Sequence, residues 1–303
     1  MTATIHIADV IKHYNKVEAV RGVSFDLAAG EMVALIGHNG AGKTTLMKMM
    51  LGLIRPTRGT IAVLGENPAA GEFSSRRQLG YLPENVAFDA ALSGRETQAF
   101  YARLKREPVQ EALALLDIVG LGDAAKRRVN TYSKGMRQRL GLAQALIGRP
   151  RVLLLDEPTT GLDPQARHTL WDKLFRLKQQ GVTLVLTTHY MDEAERLCDR
   201  LVVMDKGTIA AEGSPLELIR RFSTREVAEV RFGVGEHEAL ADRVRDLAER
   251  VEVLPDRLLL YTDDGERTLA QVHERGLEPV AVLVRRSTLE DVFLHLTGRS
   301  LVD

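Results

Sequence analysis

Residues 31–45 read EMVALIGHNGAGKTT. The apolar run from Met32 to Ile36 shows no polar alternation, which predicts a short strand buried on both faces. It runs directly into Gly37-x-x-x-x-Gly42-Lys43-Thr44, the spacing of a phosphate-binding P-loop. Gly37, Gly40 and Gly42 are read as letting the backbone turn tightly, so that successive N–H groups point inward at phosphate oxygens. A helix starting near Lys43 aims its positive end at the same anion. Lys43 adds a mobile charge for the β- and γ-phosphates, and the Thr44 hydroxyl is suited to Mg²⁺. A plain glycine-rich turn before a helix is the alternative, but the buried strand and the complete pattern argue against it.

Working outward, a P-loop needs a carboxylate on the metal side. Residues 152–158 read VLLLDEP. Val152 to Leu155 predict another central strand, with Asp156 at its C-terminal end, where open α/β sheets place ligands. Asp156 is the expected Mg²⁺-side carboxylate. Glu157 beside it is the candidate general base, able to polarise a water in line with the γ-phosphate. Residues 182–189, VTLVLTTH, predict a third buried strand ending at His189. A lone histidine at a strand end is ordinarily structural; after a P-loop and a carboxylate strand it is read as a γ-phosphate contact.

Composition narrows the class. The chain has 303 residues, enough for one large domain or two. Lys plus Arg and Asp plus Glu number 41 each, and this balance disfavours a globally basic nucleic-acid binder. Cys198 is the single cysteine, so an intrachain disulfide and a cysteine-based zinc site are excluded. No stretch approaches the ~20 apolar residues of a membrane span, and the first residues lack the order of a signal peptide.

These motifs, in this order, resemble those of ATP-binding cassette (ABC) ATPases, the motor subunits of ABC transporters. The resemblance covers about residues 4–220. It implies ATP and Mg²⁺ as cofactors, with Asn39, Ala41 and Thr45 joining Gly37, Gly40, Gly42, Lys43 and Thr44 in the nucleotide loop. Lys43, Glu157 and His189 become the catalytic set. Tyr14 matches the aromatic residue that stacks on adenine. Residues 131–140, TYSKGMRQRL, occupy the place of the family signature. By resemblance, Ser133 and Gly135 reach the γ-phosphate held by the P-loop of a second copy. Arg137 and Arg139 are read as structural or solvated. Asp163, in Gly161-Leu162-Asp163, matches the loop that lies across the dimer interface. Glu84 stands where the family usually has glutamine, at the loop joining Mg²⁺ to the membrane partner. Lys134 stands where glycine is usual; it either adds charge toward phosphate or points to solvent.

The expected fold is α/β: a P-loop ATPase sheet core with an antiparallel β subdomain and a helical insertion, followed by a small α+β, ferredoxin-like C-terminal domain. The expected domains are residues 1–220, with the helical subdomain at about 85–150, and residues 221–303. Residues 4–65 read as short strands around the P-loop helix, with a turn at Ala29-Gly30. Residues 93–149 read as helical, with Ser93 and Glu96 forming a capping box and Pro108 in the first turn of a second helix. Residues 201–213 read as a hairpin around Asp205-Lys206-Gly207. Beyond Ser214-Pro215 the expected order is strand 226–232, helix 236–250, strands 251–254 and 257–262, helix 266–275, strand 279–284 and helix 288–297. That order is a split βαβ pattern. The ending RRSTLEDVFLHLTGR resembles the tail of ATPase subunits from the drug- and lipid-exporting branch.

The resemblance therefore implies a subunit that dimerises on ATP, as a homodimer, and drives a separate integral membrane permease. It would sit in the cytoplasm, peripheral on the inner face of the cell membrane, with no nucleic-acid partner. A soluble ABC-type ATPase uncoupled from transport is the alternative, though such proteins usually carry two fused cassettes or a long coiled-coil insertion. A nucleotide-gated module that hardly turns over is a third reading.

Overall fold

The computed structural model describes residues 3–70, 74–233 and 235–298. Arg299, the last residue of the tail quoted above, lies outside them. The chain divides into two compact units, 1–213 and 214–303. The division falls at the Ser214-Pro215 step, seven residues ahead of the expected boundary at 220. Ser214 and Glu217 form a capping box there and start a helix, so the segment up to 220 opens the second unit.

The first unit runs β1 (Ile5–Tyr14), β2 (Val17–Leu27), β3 (Met32–Ile36), α1 (Lys43–Met50), β4 (Arg58–Val63), β5 (Leu79–Leu82), α2 (Gly94–Lys105), α3 (Val109–Ile118), α4 (Lys134–Ala145), β6 (Val152–Asp156), α5 (Pro164–Gln179), β7 (Thr183–Thr188), α6 (Met191–Leu197), β8 (Arg200–Asp205) and β9 (Thr208–Gly213). Its main sheet has the order β5-β6-β7-β3-β8-β9, parallel throughout except for the β8–β9 hairpin. Every residue of β3, β6 and β7 is buried, as continuous apolar runs in a sheet covered on both faces require. A separate antiparallel sheet, β2-β1-β4, packs its Ile5, Ile7 and Phe25 with Leu46 and Met47 of α1 against Val33 and Leu35.

Where the structure departs from the sequence reading, the causes are local. β1 and β2 are 10 and 11 residues long, because a bulge at Asp9 (φ 48) lets β1 bend and keep its pairing with β2. The span 93–149 is three helices with a stretch at 119–133 whose regular structure is a 3-10 turn, Val129–Thr131. Gly120, at φ 71, ends α3 by leaving the right-handed helical region. Pro108 is the cap before α3 and not a residue of its first turn. The expected capping box of Ser93 and Glu96 is present at α2, and Lys206 and Gly207, both at positive φ, make the tight β8–β9 turn.

The second unit runs α7 (Pro215–Phe222), β10 (Glu226–Arg231), α8 (His237–Val244), β11 (Arg250–Leu254), β12 (Arg257–Thr262), α9 (Gly265–Glu274), β13 (Ala281–Arg286) and α10 (Leu289–Thr297). The antiparallel sheet order β11-β12-β10-β13 is that of a split βαβ unit. One face packs Ala228, Val230 and Leu260 against Val244 of α8 and Val272 of α9. The other packs Val227, Leu259 and Tyr261 against Leu294 of α10. The helix expected over 236–250 stops at Val244, and a short 3-10 turn leads into β11.

Candidate functional site

Three parallel neighbours, β6, β7 and β3, open their C-terminal ends on one edge of the main sheet. That edge is where an open α/β sheet binds its ligand. β3 delivers the loop 37–42, β6 ends on Asp156, and β7 ends on Thr188 just before His189.

The loop glycines serve two different needs. Gly40 and Gly42 adopt φ 84 and 103, which side chains rarely reach. Gly37 does not lie in that region. A Cβ there would come within 2.3 Å of the Met204 carbonyl oxygen, so the site demands glycine for close approach and not for a tight turn. Ala41 is buried, Asn39 and Thr44 are exposed, and Thr45 is half-buried.

Lys43 opens α1 and is 7% exposed. Its ammonium donates to the carbonyls of Gly37 at 2.5 Å and His38 at 3.2 Å. Burial pushes its pKa down, while the carboxylates of Glu157, Asp156 and Glu84 face it and oppose that shift. Asp156 is buried and accepts from Thr187 Oγ1 at 2.7 Å and from Thr44 Oγ1 at 3.3 Å. This hydroxyl–carboxylate pair is the hard oxygen donor set that Mg²⁺ prefers.

Glu157 sits at φ 48, a costly conformation for a side-chain-bearing residue. Its N–H donates to Thr187 Oγ1 at 2.9 Å. Its Oε2 lies 2.7 Å from His189 Nδ1 and accepts from Thr160 Oγ1 at 3.2 Å. The structure therefore joins His189 to the carboxylate of the candidate base. Glu84 is exposed, and its charge reaches Lys43 and Tyr81. Burial, then Asp156 and Glu84, push the Tyr81 hydroxyl up to about 12.

The remaining sequence-derived positions lie at other contacts. Tyr14 ends β1, is 44% exposed, and has Lys12 Nζ 5.0 Å from its ring centroid. Ser133 caps α4 by accepting from Met136 N–H at 3.2 Å, which uses an oxygen lone pair and not the hydroxyl proton. Gly135 faces Leu162 and Ala166 of the same chain, and Asp163 caps α5 by accepting from Ala166 N–H at 2.9 Å. Lys134 is exposed, as one of its two readings has it, and its side chain lies along Gly161. Arg137 and Arg139 donate to the carbonyls of Tyr132 at 2.6 Å and Gly120 at 3.1 Å.

Sequence reasoning missed Thr187, which ties Asp156 to Glu157. It also missed Glu193, which is fully buried. Glu193 accepts from Thr159 Oγ1 at 3.2 Å and Trp171 Nε1 at 2.9 Å, and is hydrogen-bonded to Thr188. The only cue was the pair of hydroxyls ending VTLVLTTH.

Comparison with known proteins identifies the family. Residues 20–160 match the family model described as ABC transporter, and residues 237–298 match the C-terminal domain of the nodulation factor export protein NodI. A Nod factor export ATP-binding protein I from Rhizobium sp. (strain N33) is 42% identical over 98% of both chains. One of the same description from Burkholderia thailandensis is 41% identical over 99% of both. A solved ATP-binding subunit of an ABC transporter, 33% identical, superposes with a TM-score of 0.66 over 73% of this chain and 93% of its own. The P-loop, the carboxylate strand and these relatives lead to one conclusion: the chain belongs to the ATP-binding subunits of ABC transporters and is an ATPase of that family.

Proposed function

We propose that two copies of this chain close head to tail on ATP and drive a separate membrane permease that exports a drug-like or lipid-like compound. The observation that carries this reading is the division of labour within one chain. Lys43, Thr44, Asp156, Glu157 and His189 converge on one sheet edge. Ser133 and Gly135 instead open a second helix beside Leu162 and Ala166. In the closed pair, the start of α4 would offer the Ser133 hydroxyl and the Gly135 N–H to the γ-phosphate held by the other copy. Asp163 would lie at the interface, and Tyr14 would stack on adenine. A solved dimeric bacterial ABC transporter cassette, 25% identical with a TM-score of 0.64, supports the pairing.

Within each site Lys43 would bind the β- and γ-phosphates. Thr44 and Asp156, with Glu84 nearby, would hold Mg²⁺, which supplies positive charge against the phosphate oxygens. Glu157 would take a proton from the attacking water, and His189, bonded to Glu157, would orient it and meet the γ-phosphate. Hydrolysis then removes the bridging group and loosens the pair, a two-state switch driven by nucleotide.

The permease contact is assigned to a groove between α2 and the segment after β5. Leu53, Tyr81, Pro83, Val86, Phe88 and Tyr101 line it. Phe100 and Leu104 of α2 are 53% and 67% exposed. Among the described residues no helix is long and apolar enough to cross a membrane, so the permease would be a different chain and this one would dock on its cytoplasmic face. The relatives' names make a Nod factor one specific candidate cargo.

The test is affinity capture of the tagged Glu157→Gln variant with ATP from detergent-solubilised native membranes. We expect the variant to dimerise on ATP, to turn over at least about 100-fold more slowly than wild type, and to bring down a polytopic membrane protein in stoichiometric amount. Ribosomes or DNA-bound proteins in its place would move the function to a soluble cassette ATPase.

A further inference from the structure

We propose that Glu193 is a positioning residue for ATP hydrolysis: its buried carboxyl ties the loop after Glu157, the end of β7 and α5 into one unit that holds Glu157 and His189 in place. The inference rests on the reading above that Glu157 and His189 act on the γ-phosphate.

Glu193 lies on α6 and is 0% exposed, yet among the described residues the hydrogen-bond partners of its carboxyl are neutral. An acidic side chain without a counter-charge is expensive in a core, where an apolar residue would pack more cheaply. What it does have is three donors from three elements. Thr159 stands two residues after Glu157 and donates at 3.2 Å. Thr188 stands one residue before His189 and bonds to the same carboxyl. Trp171 of α5 donates its indole N–H at 2.9 Å. One carboxyl therefore reaches both reacting side chains through lever arms of one and two residues. The backbone of Glu157, at φ 48, is held in a conformation that persists only where its surroundings over-determine it. Thr187 fixes that backbone from one side at 2.9 Å, and Glu193 fixes the following loop from the other.

The ionisable groups that act on Glu193 are few. Glu157 faces it from the catalytic loop, and the Cys198 thiol faces it from the end of α6. On the outer side of α6, Asp192 pairs with Arg167 of α5 at 3.9 Å. Burial pushes the Glu193 carboxyl up to about 7, and the charge of Glu157 adds to the shift. The hub thus changes its charge near neutral pH.

Trp171 is the single tryptophan of the chain and donates to this carboxyl; the His168 ring stands 4.9 Å from its own and Arg196 lies over it at 5.4 Å, so the Glu193 share of its emission is the part that Glu193→Gln changes. The full chain and its Glu193→Gln, Glu193→Ala and Glu157→Gln variants are compared for ATP turnover, KM for ATP and Trp171 emission between pH 5 and 9. We expect Glu193→Ala to lower kcat about 10- to 100-fold with KM nearly unchanged, because misplacement of reacting groups is felt in the chemical step. Glu193→Gln, which keeps an acceptor of the same shape, should recover most of kcat and reduce the amplitude of the fluorescence transition near pH 7 that the wild type shows. If Glu193→Ala fails to fold, Glu193→Gln alone decides, through the reduced transition together with retained kcat. A Glu193→Ala protein that melts earlier but keeps its kcat would overturn the proposal, since a core residue would do the same. A fluorescence transition of unchanged amplitude in Glu193→Gln would overturn it as well. Normal turnover by Glu157→Gln would overturn the assignment of the base, and with it the positioning of that base, while the Trp171 signal would still report Glu193 on its own.

Discussion

Glu193 and Thr187 show what side-chain chemistry adds to a P-loop site. Thr187 uses one hydroxyl twice, donating to Asp156 and accepting from the Glu157 N–H, so the two carboxylate-bearing residues cannot move independently. Glu193 makes a separate statement about stability. Its folded pKa is raised from 4.5 to about 7 by burial. The folded state therefore holds a proton that the unfolded chain has released between those values. The stability contribution is full below about 4.5, declines as pH rises to about 7, and is flat above. The whole effect is on the order of 3 kcal/mol. Urea unfolding at pH 5 and pH 8 should show wild type losing stability with pH relative to Glu193→Gln, by up to that amount. A Gln variant that fell behind wild type at the higher pH would mean that the carboxylate is stabilised in its charged form.

At the scale of elements, what was legible in the sequence is what depends on near neighbours. β3, β6 and β7 could be read because a strand buried on both faces carries an unbroken apolar run, Met32–Ile36, Val152–Leu155 and Leu184–Leu186, and the P-loop because its spacing is local. The Ser93 capping box and the Lys206-Gly207 turn were legible for the same reason. The break at 119–133 was not, although Gly120 and Gly122 stand at its start. The role of Gly37 was not legible either, because Met204, the residue it meets, is far along the chain on β8. Thr187 and Glu193 share that obstacle: their partners lie 31 and 34 residues away, and no spacing rule announces them. The glycine contacts make a direct prediction. Gly37→Ala puts a Cβ 2.3 Å from a backbone oxygen, and backbone cannot step aside as a flexible side chain can. We expect it to cost about 2–4 kcal/mol and to abolish ATP binding. Gly40→Ala, which meets nothing within 4 Å and strains only φ, should cost about 1–2 kcal/mol. Thermal melts with and without ATP separate the two, and equal losses would reject close approach as the reason for Gly37.

The molecule as a whole is two folding problems joined at Gly213 and Ser214. The second unit has its own core on both faces of its sheet and its own buried ion network, so we expect residues 214–303 to unfold cooperatively when expressed alone. Asp291, 2% exposed, is the centre of that network. It accepts from Arg285 at 2.7 and 2.9 Å, from the Tyr261 hydroxyl at 3.1 Å, and from the Thr288 N–H at 2.7 Å, where it caps α10. Glu229 accepts from the other side of the same Arg285 at 2.6 Å. Burial alone would push the Asp291 carboxyl up, but the hydrogen bonds from Arg285 and Thr288 outweigh it and hold the pKa below its ordinary 3.8. A depressed carboxylate stabilises the fold above its unfolded pKa, and that stability is lost as pH falls through the folded value. Asp291→Asn removes the charge while keeping the shape. It leaves the half-buried Arg285 guanidinium with Glu229 as its remaining counter-charge beside the Arg286 carbonyl, a change expected to cost about 3–5 kcal/mol at pH 7. As pH falls through that lowered folded value the wild-type carboxyl protonates, and the difference between the two proteins should shrink. Urea unfolding of the 214–303 fragment at pH 7 and pH 3 measures both quantities. Equal stability at pH 7 would show that Arg285 is satisfied without Asp291, and that the apolar faces of the sheet alone hold the unit together.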